Sequence, residues 1–225
     1  MELLEKLLPN AVKIPDEIWQ ATVETIFMTV VSGLIAGVIG LGIGVLLVVT
    51  RPNGILERPK FFNVTDKLVN VFRSIPFVIL LALIVPLTRL LTGTTIGTVA
   101  ALVPLVAGTI PFFARQVEIA LLEVNPGVVE AAEAMGTAPR QIITRVYLRE
   151  GLPGLIRVSA MTIISLINLT AMAGTIGGGG LGNLAIAKGY NRYQTDVTLV
   201  ATLIILILVF ISQAVANWLV KKVSH

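Results

Sequence analysis

Five stretches of the chain carry no charged residue: 25–50, 74–88, 90–114, 158–187 and 197–220. A helix needs about 20 mainly apolar residues to cross the hydrocarbon core of a bilayer, and four of the five runs have that length unaided. The second reaches it when extended back to Leu68, across Arg73, whose stem can carry its guanidinium to the headgroups. The pattern predicts an all-α polytopic membrane protein with five transmembrane helices, at 21–50, 68–90, 94–122, 154–176 and 196–220, in a single domain over 1–225. Ahead of them, Leu3, Leu4, Leu7 and Leu8 share one helical face up to Pro9, so 1–20 reads as an interfacial segment. Glu2 and Glu5 stand where a signal peptide has its basic region, which argues against a cleaved leader.

Between the third and fourth spans lies a polar insert at 125–151. Asn125 suits an N-cap and Pro126 a first helical position, and Gly136 stops the helix they open. Thr137 is a candidate cap for a second helix, with Pro139 in its first turn, and that helix carries Ile142, Ile143, Val146, Tyr147 and Leu148 to Gly151 and Pro153. An Ala-rich helix with little bulk and accessible backbone can seat in a groove on another protein, with Glu130 and Glu133 meeting basic groups at its rim.

Composition agrees with the pattern: 55% of the 225 residues are hydrophobic, 13% are charged and the mean hydropathy is +0.90, against about 25% charge in soluble domains. The net charge of +4 points to topology rather than to nucleic acid. Arg51, Arg58, Lys60 and Lys67, then Arg140, Arg145 and Arg149, then Lys221 and Lys222 all fall on one side of the five predicted spans. The positive-inside rule makes that side cytoplasmic, with the N-terminus outside and the C-terminus inside.

The insert resembles the EAA loop of ABC-importer permeases, on Glu130, Ala131, Ala132, Gly136, Leu152 and Pro153. The resemblance extends through VTRPNG (49–54), NVFRSIPFVILL (70–81), VPLTRLLTGTTIG (85–97), PFFAR (111–115), ALLEVNPGVVEAAEAMG (120–136) and TAMAGTIGGGGLG (170–182), which look like the membrane subunits of methionine ABC importers. Arg149 stands where that pattern has proline, and Asn168 and Ala173 where it has glycine. The resemblance implies a coupling helix docking into a cytoplasmic ATPase through Glu130, Ala131, Ala132, Glu133, Met135, Gly136 and Pro139. It further implies methionine of both enantiomers as cargo and an extracytoplasmic substrate-binding protein or lipoprotein as the donor. No cofactor is expected in this chain, because ATP and Mg belong to the partner ATPase dimer. Five helices are few to enclose a passage, so a second copy related by a two-fold axis is expected. Lipid is the remaining partner, and nucleic acid is none.

Along the predicted passage, Met172, Asn168 and Thr170 are candidate pathway or gate residues. A flexible thioether can close a narrow axis and yield to an apolar side chain, while ordinary packing is the competing reading for Met172 and helix-packing hydrogen bonds for Thr170. Pro76, Pro86, Pro104 and Pro111 read equally as kinks or as pathway lining. GGGGLG at 177–182 lacks the Lys-Ser/Thr of a phosphate loop and reads as a flexible extracytoplasmic cap. Arg73 and Glu118 read as paired or snorkelling groups near helix ends. Other permeases for small amino acids or quaternary amines are the nearest alternative cargo classes. An ion-coupled carrier or channel is more distant, since the uncharged runs hold no acid for coupling. An intramembrane enzyme would need placed nucleophiles or metals, yet cysteine is absent and the one histidine is His225.

The charge distribution generates a topology test. A reporter fused after Val220 is expected in the cytoplasm, and a label in the 188–192 loop is expected to react from outside intact cells. Labelling of an Arg140→Cys variant from outside would reverse the assignment.

Overall fold

The computed structural model describes residues 7–223. Leu3 and Leu4 of the expected interfacial helix, with their neighbours Glu2, Glu5 and Lys6, lie outside the described residues, as does His225. A single 3-10 turn at Ala11–Lys13 precedes the first long helix. The helices in chain order are α1 (Pro15–Thr50), α2 (Pro59–Ser74), α3 (Phe77–Leu83), α4 (Val85–Thr92), α5 (Thr98–Leu122), α6 (Pro126–Ala134), α7 (139–150), α8 (Leu152–Thr175), α9 (180–192) and α10 (Thr195–Val223). α7 is π-helical over Ile142–Tyr147 and α9 over Leu184–Gly189. Four helices, α1, α5, α8 and α10, are long and apolar enough to cross a membrane. The chain is an all-helical, multi-pass membrane protein.

The expected single helix at 68–90 is broken into three. Ile75 is extended (φ −76, ψ 120) and Pro76 follows it at φ −57, ψ 134, because the ring of a proline disfavours helical backbone in the residue before it. Helix α2 therefore ends at Ser74. Pro86 lies in the first turn of α4, where its missing N–H costs no intrahelical bond, and Ile84 separates α3 from α4 at φ −90, ψ 0. α2 carries Lys60, Asn63, Asp66, Lys67 and Asn70 and is amphipathic rather than apolar all round.

By packing, the chain forms two compact units, one of Met1–Leu34, Pro76–Ala107 and Ile163–Gln213, the other of Ile35–Ile75, Gly108–Thr162 and Ala214–His225. In the first unit, Met28, Leu81, Ala101, Leu105, Leu166 and Ala173 form one core cluster, and Ala21, Leu181, Leu184, Ala185, Val197 and Ala201 belong to another. Asp196 at the start of α10 holds the segment before α1, accepting from the backbone N–H groups of Asn10 (2.7 Å) and Ala11 (2.9 Å) and from Asn10 Nδ2 (3.0 Å).

The glycine run is not a loose cap. Gly177, Gly179 and Gly180 take φ of 90°, 78° and 72°, and the chain reverses from α8 into α9 so tightly that a Cβ on Gly182 would lie 2.2 Å from the Ala171 carbonyl oxygen. Glycine is required there by close approach, and by positive φ in the turn. The first N–H groups of α9, which have no partner within their own helix, donate to α1: Gly180 N to Glu24 Oε2 at 2.7 Å and Leu181 N to Thr25 Oγ1 at 2.8 Å.

In the second unit, α1 meets α5 at Gly44, where a Cβ would stand 2.6 Å from Val117 Cβ and 2.7 Å from the Ala114 carbonyl oxygen. Helices in lipid gain little from excluding apolar surface and associate by close packing of small residues. Gly44→Leu is therefore expected to destabilise the fold by about 1–3 kcal/mol, read as a lower thermal midpoint in detergent. At Gly37 a Cβ meets nothing within 4 Å, and Gly37→Leu is expected to leave the midpoint unchanged.

Candidate functional site

α6 and α7 sit on the core of the second unit. Asn125 caps α6, its Oδ1 accepting from Gly127 N at 2.9 Å, and Pro126 occupies the first helical position. Val129 and Ala132, three residues apart, face inward and join Leu121, Val124, Ile142, Tyr147 and Leu155 in one buried cluster. The rest of α6 faces out: Glu130, Ala131, Glu133 and Ala134 are exposed, and the Met135 that follows is 78% exposed. Of the residues expected to form a docking face, the structure brings Glu130, Ala131, Glu133 and Met135 together on one exposed surface and turns Ala132 into the core.

Gly136 ends this helix at φ 72°. Its N–H donates to the Glu133 carbonyl (2.9 Å) and that of Thr137 to the Ala132 carbonyl (3.1 Å), the pair of closing bonds that a left-handed residue after a helix makes possible. The expected Thr137 cap is displaced by one residue. Ala138 holds the N-cap position without a side-chain bond, and Pro139 opens α7. Proline at the first position has no N–H to satisfy, and the N–H groups of Gln141 (2.8 Å) and Ile142 (3.1 Å) donate to the Ala138 carbonyl. Ile142 and Tyr147 fix α7 to the core, while Arg140, Arg145 and Arg149 are exposed. Burial holds the Tyr147 hydroxyl above the usual phenol pKa, with Arg51 opposing and Glu133 reinforcing the shift, so it is neutral at physiological pH.

Arg115 organises the same unit. Its guanidinium donates to Asp66 Oδ1 at 2.5 Å, Asn70 Oδ1 at 3.0 Å and Glu118 Oε2 at 2.5 Å, tying α2 to α5. The Arg115–Glu118 spacing of three was readable in the sequence. The bonds to Asp66 and Asn70 cross more than forty residues, and no local spacing announces them. In the first unit, sequence reasoning also missed a polar pocket of about 240 Å³ lined by Glu17, Gln20, Glu24, Asn183 and Lys188, in which Lys188 pairs with Glu17.

On α8, Asn168 and Met172 are exposed one turn apart. Ser165 and Thr175 continue the same face at helical spacing. Thr170 is elsewhere: it is buried on the opposite side of the helix, and its hydroxyl donates to the Ile167 carbonyl at 2.7 Å.

Residues 36–225 match the model of the binding-protein-dependent transport system inner membrane component family. The chain belongs to this family. Among relatives of this transport component, the probable D-methionine transport system permease protein MetI of Vibrio cholerae is 43% identical over 210 residues, 93% of each chain. The methionine import system permease protein MetP of Bacillus subtilis is 47% identical over 215 residues, 96% of each. A chain of the MetNI methionine ABC transporter in an inward-facing conformation superposes with a TM-score of 0.89 at 43% identity, covering both chains in full. An amino acid ABC transporter shares the fold at 16% identity and a TM-score of 0.78.

The two faces of α6 separate stability from surface chemistry. Ala132→Leu overfills the core and is expected to cost about 1–3 kcal/mol, whereas Ala131→Leu is expected to be within about 0.5 kcal/mol of the parent. Gly136→Ala meets no atom within 4 Å and is expected to cost only the backbone strain of a left-handed residue, about 1 kcal/mol. Thermal midpoints of the three variants in detergent give the order.

Proposed function

We propose that this chain is the permease subunit of an ATP-driven methionine importer, carrying both enantiomers and performing no hydrolysis itself. The observation that carries the reading is α6, a short helix anchored from behind by Val129 and Ala132, with its small and acidic residues presented outward. It stands between the long apolar helices α5 and α8. Similarity to methionine permeases over more than nine-tenths of the chain supports the cargo.

In this reading the whole chain, 1–225, is one transmembrane domain with five crossings, the second made by α3 and α4 together. The N-terminus is outside and the C-terminus cytoplasmic, which places the loop at 125–151 with the cytoplasmic ATPase. Ala131 and Ala134 let the ATPase groove approach the helix backbone closely. Met135 fills an apolar socket, and Glu130 and Glu133 pair with basic residues at the rim, each pair weakening with salt. Gly136 and Pro139 set the direction in which the chain leaves. ATP and Mg are bound by the ATPase dimer, and this chain holds no cofactor. Two copies enclose the passage, and an extracytoplasmic binding protein delivers the substrate.

Transport follows from differential affinity. ATP closes the ATPase pair, and two coupling helices that bind the closed pair more tightly than the open one shift the permease toward its outward-facing state. Asn168 supports the position of the passage, since an exposed amide two turns inside the end of a spanning helix is costly against hydrocarbon and favoured against a hydrated path. Met172, one turn further on, narrows that path with a side chain that yields as the cargo's own thioether passes. Thr170 contributes by holding the helix beside them.

The test is co-purification of the ATPase together with uptake of labelled methionine in proteoliposomes containing the binding protein. Ala131→Leu and Glu130→Lys are each expected to weaken ATPase association by about tenfold or more, equivalent to ~1.4 kcal/mol, and to depress uptake, with unchanged amounts of inserted protein. Normal association and uptake in both variants would remove α6 from the coupling role.

A further inference from the structure

α2 has one apolar face that nothing among the described residues covers. Phe61, Val64, Leu68, Val71 and Phe72 recur at spacings of three and four, forming one stripe, and each is between 46% and 59% exposed. The opposite side of the helix is occupied: Val69 is buried, and Asp66 and Asn70 are held by Arg115. Beside the stripe, Lys60 and Lys67 lie seven residues apart on a single exposed edge, with Asn63 and Ser74. That edge carries no acid. The helix's one carboxylate, Asp66, is turned to Arg115, and Glu57 precedes the helix and is followed by Arg58.

An apolar stripe bordered by lysines, on a helix too polar to span, is the pattern of a helix lying in the plane of a bilayer surface. The tie to α5 sets a matching depth, since Arg115 is seven residues from the end of that helix at Leu122, about 10 Å along its axis. A second copy of the chain fits this face poorly. A two-fold contact sets the same patch against itself and would bring four lysines together with no acid between them.

We infer that α2 is an interfacial anchor whose apolar stripe rests among acyl chains while Lys60 and Lys67 bind the phosphates of anionic phospholipids. The headgroup chemistry follows from charge: two ammonium groups about 10 Å apart, two turns of helix, can each meet a separate phosphate, and anionic lipid near the surface contributes to binding at every lysine.

The experiment uses the full-length chain in its transport complex, in nanodiscs of phosphatidylcholine alone or mixed with equal parts phosphatidylglycerol. Because the chain has no cysteine, a Leu68→Cys variant carries a single fluorophore or cross-linking site. Brominated acyl chains are expected to quench a fluorophore at that position, and Lys60→Gln/Lys67→Gln is expected to lower the apparent affinity for phosphatidylglycerol by roughly tenfold or more. An unquenched fluorophore, efficient disulfide formation between two copies of Leu68→Cys, or unchanged phosphatidylglycerol affinity in the double variant would overturn the inference. The first two readouts need no substitution of the lysines, so a misfolded double variant leaves the proposal open to refutation.

Discussion

A backbone N–H or C=O left unpaired in hydrocarbon costs several kcal/mol, and each departure from continuous helix in this chain is arranged around that cost. Where α9 begins, its first two donors are met by Glu24 and Thr25 of α1. Where the helix expected at 68–90 breaks after Ile75, proline stands at the break and has no donor to satisfy. The segment before α1 is held by a carboxylate of α10 that accepts from two consecutive N–H groups. Long-range side-chain bonds fall largely at these interruptions and at Arg115. Elsewhere helices are held by shape, as at Gly44 against Val117.

The four long spanning helices were legible because hydropathy over some twenty residues is a property of the segment alone. The breaks within 68–90 were not, because hydropathy there is continuous and the divisions come from the backbone before Pro76 and at Ile84. Gly136 was legible as a stop from its type, since left-handed backbone is a local requirement. The glycines at 177–182 were legible as special but misread in kind. Flexibility and close packing both select glycine, and only the position of Ala171 distinguishes them. At α6, composition picked out the helix, but which of Ala131 and Ala132 faced outward depended on where Val129 met the core. Thr170 and Asn168 were alike on paper and are separated by the side of α8 on which each falls.

The second unit joins α6, α7, α5 and α2 through two kinds of contact. Apolar packing around Leu121, Ile142 and Tyr147 seats α6, and the three bonds of Arg115 hold Glu118 and connect α2 to α5. A charge this enclosed is stable only with partners on several sides, and removing one partner costs more than the pair contributes. Packing that is intolerant of small displacements passes motion on instead of absorbing it. A push on α6 therefore reaches α5 through well-filled core.

The Arg115 tie also acts in the other direction. With α2 resting on the bilayer surface as proposed, the height of that surface becomes a mechanical input to the body that carries α6. A thicker or thinner membrane, or one under different lateral pressure, would then bias the rocking equilibrium without any ligand, and the lipid composition of the host membrane would set part of the resting poise of the machine.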